Sequence, residues 1–182
     1  KTTNLPWEVS ESGISQLFGW RRVKLVNDLA ATATALPLLS SEELHALNKA
    51  GPASGASVAV VAPGTGLGMA FLIPHGKEML TVSSEGGHMD FPLLFDEHCS
   101  LWRELKNRFG HVSIERVVSG PGLMDLYRWL RKESGIEEPE WLSTEFSTGD
   151  PAEVVSTTGM ERRDSVCVEA MAHFVRILGS VC

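Results

Sequence analysis

Cysteine is scarce in this sequence, and the few cysteines lie far apart. The 182 residues include only Cys99, Cys167 and Cys182. No two of these have the Cys-x-x-Cys spacing of zinc sites and redox motifs, and their odd number argues against a disulfide framework. We therefore predict a protein of a reducing compartment, with the cytoplasm as its expected location.

Long apolar runs and positive charge are also in short supply. No stretch reaches the roughly 20 consecutive apolar residues that a membrane-spanning helix needs, and the first residues lack the pattern of a signal peptide. The chain has 16 Lys and Arg residues and 23 Asp and Glu residues, which gives a formal net charge of -7. An acidic chain is not expected to hold nucleic acid by general electrostatics. Neither a membrane nor a nucleic acid is therefore predicted as a partner.

What is present is typical of a globular protein. Hydrophobic residues make up 43% of the chain and charged residues 21%, and the length suits one domain or one domain with part of a second. The chain begins at Lys1 rather than at Met, and apolar residues recur at helical spacing up to Cys182 with no polar tail. We expect the sequence to be part of a longer protein.

The middle of the chain predicts a sheet, and the second half predicts helices. Apolar runs at 57–62, 67–73 and 77–83, separated by tight turns, predict an antiparallel three-stranded meander. Capping residues and helical spacing predict helices that begin near residues 29, 40, 96, 119, 150 and 164, the second of which ends near residue 47. Short extended segments are predicted at 23–26 and 115–118, and loops at 49–56 and 136–149. The loop at 49–56 is the candidate domain boundary.

Asn27 and Asp28 stand where a predicted strand ends and a helix begins. Ligands of α/β folds gather at the carboxyl ends of strands. Asp28 could accept a proton or a hydroxyl hydrogen bond there, and the Asn27 amide could both donate and accept. The alternative is that Asp28 simply caps the helix, and both interpretations stay open on position alone.

The segment Gly64-Thr65-Gly66-Leu67-Gly68 has glycines at alternate positions between two predicted strands. It does not have the GxGxxG pattern of dinucleotide sites, and no helix follows it. A tight hairpin with exposed backbone N–H groups and one hydroxyl can bind a phosphate. It can equally be an ordinary hairpin turn.

Acidic and histidine side chains cluster after the third predicted strand. Glu85, His88 and Asp90 could bind a metal, but histidine ligands usually occur with further histidines or cysteines. Recognition of sugar hydroxyls suits them better, because a carboxylate accepts two hydroxyl hydrogens in fixed directions. Glu115 is a similar candidate, with a surface ion pair to Arg116 as its alternative. No metal ligand is assigned.

Four segments, in this order, resemble the bacterial glucokinases of the hexokinase superfamily. They are 26–31 (VNDLAA), 64–68 (GTGLG), 85–91 (EGGHMDF) and 110–123 (GHVSIERVVSGPGL). The resemblance implies an α/β protein, with the α+β large domain of an actin-like ATPase or ribonuclease H-like fold and the end of the small domain at the N-terminus. Residues 1–48 would be the end of the small domain with the hinge, and 49–182 part of the large domain.

The resemblance also implies roles for the candidate residues. It assigns the catalytic base to Asp28 and sugar-hydroxyl contacts to Asn27, Asp28, Glu85, His88 and Glu115. It makes Gly64, Thr65 and Gly66 a phosphate loop. The implied reaction is the ATP- and Mg²⁺-dependent phosphorylation of glucose at its 6-hydroxyl. The implied oligomeric state is a homodimer.

Some family features differ or are missing from the sequence. Ser84 stands where the family usually has Gly, and Pro92-Leu93 where it usually has Ala-Pro. The family's first phosphate loop and its glycine-rich adenosine segment are not found, so the chain as given is expected to be inactive or nearly so. A sugar-binding module or regulator without catalysis, and a kinase for another hexose, remain alternatives.

Overall fold

The computed structural model describes residues 8–48, 55–93 and 96–182. Its sheet has three antiparallel strands in the order β1-β2-β3, formed by β1 (Val58–Pro63), β2 (Leu67–His75) and β3 (Glu78–Ser84). The register is continuous, so that Val60 pairs with Ala70 and Phe71 pairs with Val82. The predicted meander is confirmed.

Seven α-helices occur in the described part of the chain. They are α1 (Glu11–Phe18), α2 (Asp28–Ala35), α3 (Cys99–Phe109), α4 (Gly120–Ser134), α5 (Glu140–Thr148), α6 (Pro151–Met160) and α7 (Ser165–Val181). Five of them begin with a side chain that accepts hydrogen bonds from first-turn N–H groups, which stabilises a helix start. These capping residues are Ser10, Asn27, Ser119, Asp150 and Asp164. The predicted helix starts near 119, 150 and 164 are thus confirmed.

Two hydrophobic clusters form the core of the described part of the chain. The larger one lies among α3, α4, α6 and α7 and reaches the start of β2, with Leu101, Leu126 and Ile177 almost completely buried. The smaller one joins α2 to the sheet through Leu29, Ala33, Ala70 and Leu72. Helix α2 therefore lies on the sheet, and its first residues are held near the start of β2.

The predicted extended segment at 23–26 is not a strand. It has no regular structure, and the Leu25 N–H donates to Glu11 Oε1 at 2.8 Å. A side chain of α1 thus satisfies a backbone group that a neighbouring strand would otherwise pair. The next predicted helix is also shorter than expected. Glu43 accepts from the Ser40 N–H as a capping box requires, but the 3₁₀ turn covers only Ser41–Glu43.

Three further boundaries differ from the prediction. The 115–118 segment belongs to a 3₁₀ turn at Ile114–Arg116 rather than to a strand. The acidic 136–149 segment contains α5, which begins after Pro139 and completely buries Leu142. Asp96 does not cap α3, because a 3₁₀ turn at Asp96–His98 precedes it.

The candidate domain boundary at 49–56 lies mostly outside the described residues, which resume at Gly55. In the described part of the chain, no helix combines the length and the apolar character needed to cross a membrane.

Candidate functional site

Asn27, rather than Asp28, caps helix α2. The Asn27 Oδ1 accepts from the Ala30 N–H at 3.1 Å, whereas Asp28 occupies the first helical position. Asp28 Oδ1 accepts from the N–H of Leu29 at 2.8 Å, and its side chain is exposed. The capping interpretation of Asp28 is therefore wrong, and this carboxylate lies exposed at the helix start.

Two consecutive residues of β2 link the separate candidate segments. A Cβ at Gly68 would lie 2.8 Å from Leu29 Cδ2, so the first turn of α2 lies directly against this strand. The Leu67 N–H donates to Glu115 Oε2 at 2.9 Å. The residues that follow Asp28 in α2 and the carboxylate of Glu115 therefore meet at adjacent positions of one strand.

His88 lies between two carboxylates. Its Nε2 is 3.6 Å from Glu85 Oε2, and its Nδ1 is 3.8 Å from Glu115 Oε1. The side chains of Glu85 and His88 are 89% and 62% exposed, and that of Glu115 is 31% exposed. The Glu85 and His88 side chains are therefore open to a ligand, while the Glu115 carboxylate is held by β2.

The turn before His88 depends on a glycine that approaches the backbone of β2. A Cβ at Gly87 would lie 2.3 Å from the carbonyl oxygen of Leu67. No other residue fits this approach, which brings His88 to the strand that holds Glu115. Ser84, where the family usually has Gly, is accommodated in this turn, because its Oγ accepts from the Gly86 N–H at 3.1 Å.

The hairpin at 64–66 is packed against the same glutamate and against helix α4. A Cβ at Gly66 would lie 2.5 Å from Glu115 Oε2, so the carboxylate lies directly against the hairpin backbone. The carbonyl oxygen of Gly64 accepts from the Gly120 N–H at 2.8 Å. Thr65 is exposed at the tip. The hairpin is thus fixed at its base and open at its tip.

A cavity of about 750 Å³ lies on the α4 side of this hairpin. Its lining includes Gly64, Thr65, Ser119, Gly120 and Asp150. The volume is in the range of small-molecule and cofactor sites.

The first turns of the two helices at this cavity have few free donors. In α4, the Gly120 N–H binds Gly64 and the Gly122 N–H binds Ser119 Oγ. In α6, the Asp150 carboxylate accepts from two N–H groups. The Gly64 N–H is also bound, to the Gly66 carbonyl oxygen at 2.8 Å. Of these three backbone segments, the hairpin tip at Thr65 is therefore the best placed to donate to a ligand.

Other candidate residues are not joined to this group. Asp90 accepts from His111 Nε2 at 2.8 Å, so its carboxylate is paired away from His88. Among the described residues, no hydrogen bond or ion pair joins Asp28 to Glu85, His88 or Glu115. The structure brings Asp28 to the same strand end through the packing of its neighbour Leu29 on β2, and not by direct contact.

Sequence reasoning missed the contribution of Ser119 and Asp150 to the cavity lining. Both were predicted only as helix caps. The signal was their position before Pro at the first turns of α4 and α6, but nothing in the sequence indicates that the two helix starts meet across one cavity.

Comparison with known protein families identifies the family of this chain. The family model described as "Glucokinase" matches residues 1–182. The chain belongs to the glucokinase family. The four segments that resemble this family in the sequence are the segments that meet around β2 in the structure.

Known glucokinases resemble the chain in sequence. The glucokinase of Chromobacterium violaceum is 37% identical over 180 residues, which are 99% of this chain and 49% of that protein. The glucokinase of Marinobacter nauticus is 33% identical over 178 residues, which are 97% of this chain and 52% of that protein. The chain thus spans about half the length of the curated relatives it matches.

Solved structures resemble the chain in fold. The crystal structure of a glucokinase from an Antarctic psychrotroph has a TM-score of 0.77 at 32% identity, over 98% of this chain and 52% of that one. The Leishmania braziliensis glucokinase, at 20% identity and a TM-score of 0.61, supports the fold alone. The expected fold class, the mixed helix and sheet arrangement of an actin-like ATPase, is confirmed.

Proposed function

We propose that this chain carries the glucose site of an ATP-dependent glucokinase. The observation that carries the proposal is the convergence of Glu85, His88 and Glu115 at the start of β2, beside the first turn of α2. Carboxylates and an imidazole offer several acceptors and donors in fixed directions, and a hexose presents neighbouring hydroxyls that match such a set. Membership of the glucokinase family supports this choice of ligand.

Within this site each side chain has a separate role. Glu85 and His88 bind sugar hydroxyls from the exposed loop. Glu115 binds another from the strand side, where the Leu67 N–H orients its carboxylate. Asn27 contributes its amide nitrogen, because its Oδ1 is occupied by the helix cap.

Asp28 is the proposed catalytic base. One of its oxygens is held by the Leu29 N–H, which leaves the other to orient the 6-hydroxyl of glucose. A sugar hydroxyl is a weak acid, so a carboxylate serves by positioning it and taking its proton as the new bond forms. Phosphoryl transfer relies mainly on such positioning and on charge stabilisation.

Nucleotide phosphates fit the hairpin tip better than the helix starts. Gly64, Thr65 and Gly66 form a tight turn with one exposed hydroxyl, and Thr65 lies on the wall of the 750 Å³ cavity. The cavity has room for the rest of a nucleotide. ATP would supply the transferred phosphoryl group. Mg²⁺ is usually held largely by nucleotide phosphates and waters, and no protein ligand for it is assigned here.

The domain division follows the same proposal. Residues 1–48 form the end of the small domain and the hinge, and 49–182 form part of the large domain. Helix α2 lies before this division yet packs on the sheet that follows it. This arrangement suits a hinge, because it couples Asp28 to the sugar loop of the other domain. A cytoplasmic homodimer is proposed for the protein as a whole.

Glucose titration of two matched glutamate variants tests the site. Glu85→Gln removes a carboxylate beside His88, and Glu78→Gln changes an exposed glutamate at the start of β3 in the same sheet. We expect Glu85→Gln to weaken glucose binding by about tenfold to hundredfold, since hydrogen bonds to charged groups contribute about 1.5–3 kcal/mol. Calorimetry measures the affinity, and circular dichroism checks the fold.

Equal glucose affinity in the two variants would refute the site assignment. A panel of hexoses tested on the full-length protein distinguishes glucose from mannose or fructose. Glucose binding without any turnover of ATP by the full-length protein would favour the alternative of a sugar-binding regulator.

A further inference from the structure

Two histidines and a glutamate meet where the start of α3 approaches α7, away from the residues of the proposed sugar site. His98 Nε2 and His173 Nδ1 are 2.9 Å apart. Glu97 Oε1 lies 3.9 Å from the first of these atoms and 3.8 Å from the second. The His98 side chain is fully buried, and that of His173 is 12% exposed. The Glu97 side chain is 47% exposed. The three potential ligand atoms therefore lie within 4.8 Å of one another, with the two histidines mostly buried and the glutamate at the surface.

We propose that Glu97, His98 and His173 form a binding site for a divalent transition metal ion of the zinc type. Bonds of about 2.0–2.1 Å to a tetrahedral zinc ion place neighbouring ligand atoms roughly 3.4 Å apart. The sides of the observed triangle, from 2.9 to 3.9 Å, bracket that value. Two imidazoles and one carboxylate are a common zinc donor set, in which water takes the fourth position.

The surroundings support these ligands. Glu169 lies one turn before His173 on α7, and its Oε1 is 3.9 Å from His173 Nε2. This distance is longer than a hydrogen bond, so Glu169 acts through its charge, which favours a proton on Nε2 and leaves Nδ1 free for the metal. The Trp129 ring lies 6.0 Å from His98 and 5.6 Å from His173, centre to centre. This apolar wall limits the access of water from one side.

Metal binding replaces the hydrogen bond that now joins the two rings. One ring carries the shared proton, and that proton moves to the other nitrogen of the same ring, so both histidines coordinate as neutral groups. No net proton is released. Since His98 immediately precedes α3 and His173 belongs to α7, the ion would tie these two helices together.

Arg176 is the group that opposes a cation here. Its Nη1 lies 2.6 Å from Glu97 Oε1, the same oxygen that is assigned to the metal. The guanidinium balances the charge of Glu97 when no ion is bound, and it competes with the ion for that oxygen. Removing this positive charge should therefore increase metal affinity.

Titration of the purified, chelator-treated chain with Zn²⁺ and Co²⁺ tests the proposal. We expect one ion per chain by calorimetry and the absorption bands of four-coordinate Co²⁺. Glu97→Gln and His173→Gln should each weaken binding at least about tenfold. His75→Gln, which changes an exposed histidine at the end of β2, serves as the matched control and should not. Arg176→Gln should strengthen binding.

Tryptophan fluorescence locates the ion independently of affinity. Bound Co²⁺ should quench the emission of Trp129, and Trp129→Phe should remove most of that quenching. Circular dichroism of each metal-free variant confirms that the fold is retained. Absence of binding, or equal affinity in Glu97→Gln, His173→Gln and His75→Gln, would overturn the proposal.

Discussion

The helical layer and the sheet end of this molecule use polar side chains in opposite ways. In the helical layer, Arg131 donates to Asp164 at 2.5 Å and to the Tyr127 hydroxyl at 2.9 Å, and that hydroxyl donates to Glu138 at 2.7 Å. Arg131 and Asp164 are 10% and 7% exposed. This network is closed around the Arg131–Asp164 pair, which is mostly shielded from solvent, while Glu138 lies exposed at its edge.

At the sheet end the polar groups are open. Asp28 and Glu85 are exposed, and the contacts of His88 to its neighbouring carboxylates are long, at 3.6 and 3.8 Å. Buried polar groups must be satisfied within the protein, whereas exposed groups with long contacts keep acceptors for a ligand. From this difference we expect the stability of the fold to depend on the helical network. We expect ligand recognition to depend on the sheet end. Variants can separate the two.

The largest expected effect is on turnover and comes from Asp28→Asn. The Asn oxygen can still accept from the Leu29 N–H, so the helix start is preserved. Loss of the general base should lower the turnover of the full-length protein by about 10²- to 10⁴-fold. A coupled glucose phosphorylation assay measures this, and thermal unfolding should be unchanged. A turnover within threefold of the parent would remove Asp28 from the proposed mechanism.

Asp164→Ala should have the largest effect on stability. It removes the partner of Arg131 and the cap that accepts from the Cys167 N–H. Breaking a buried ion pair by removing one partner costs about 3–5 kcal/mol of unfolding free energy. Asp150→Ala is the matched control, since it removes only an exposed cap and should cost about 1 kcal/mol. Denaturant unfolding that gives equal losses would contradict the closed-network interpretation.

Gly66→Ala should weaken glucose binding by about tenfold, a cost of about 1.4 kcal/mol. The added Cβ would lie 2.5 Å from Glu115 Oε2 and displaces that carboxylate. Gly64→Ala controls for the hairpin, because its Cβ meets no atom of the described residues within 4 Å. Calorimetric titration of both variants with glucose makes the comparison. Equal affinities would show that the position of Glu115 does not matter to the sugar.

The smallest effect is a pH dependence in the helical layer. Burial opposes ionisation of Asp164, but the Cys167 N–H and the Arg131 guanidinium outweigh it and hold the pKa of this carboxyl below its ordinary value. A lowered carboxyl pKa stabilises the fold fully above the unfolded pKa, about 3.9. That contribution is lost as pH falls through the folded pKa.

This pH dependence is tested by comparing the parent protein with Asp164→Asn, which keeps a capping oxygen but has no charge. The difference in unfolding free energy between the parent and this variant should be constant from pH 7 to about 5 and should shrink below about pH 4. Denaturant unfolding across this range measures it. A difference that grows on acidification would contradict the assigned pKa direction.

Elements with local signals could be predicted from the sequence. The tight turns of the meander and the caps Ser119, Asp150 and Asp164 lie next to the structure they specify. Helix α5 was missed because its acidic, loop-like sequence gives little periodicity, and it is stabilised by the burial of Leu142. The extended segment at 23–26 was read as a strand because its apolar run fits one, although no described strand pairs with it.

The candidate site could be predicted in composition but not in geometry. Family resemblance named Glu85, His88 and Glu115, yet the contact that orients Glu115 comes from Leu67, 48 residues away. The pairing of His98 with His173 spans 75 residues and gives no spacing signal in the sequence. Such contacts depend on how helices and strands pack, which single-sequence patterns do not specify.

Glucose titration of Glu115→Gln against Glu104→Gln tests the central claim most directly. The first change leaves an oxygen for the Leu67 N–H but removes a carboxylate at the sheet end. The second changes a half-buried partner of Lys132 in the helical layer. The account predicts a loss of glucose affinity of about tenfold or more for Glu115→Gln, with no loss for Glu104→Gln and no change in thermal unfolding for either. Equal glucose affinity in the two variants would contradict the assignment of sugar recognition to the sheet end.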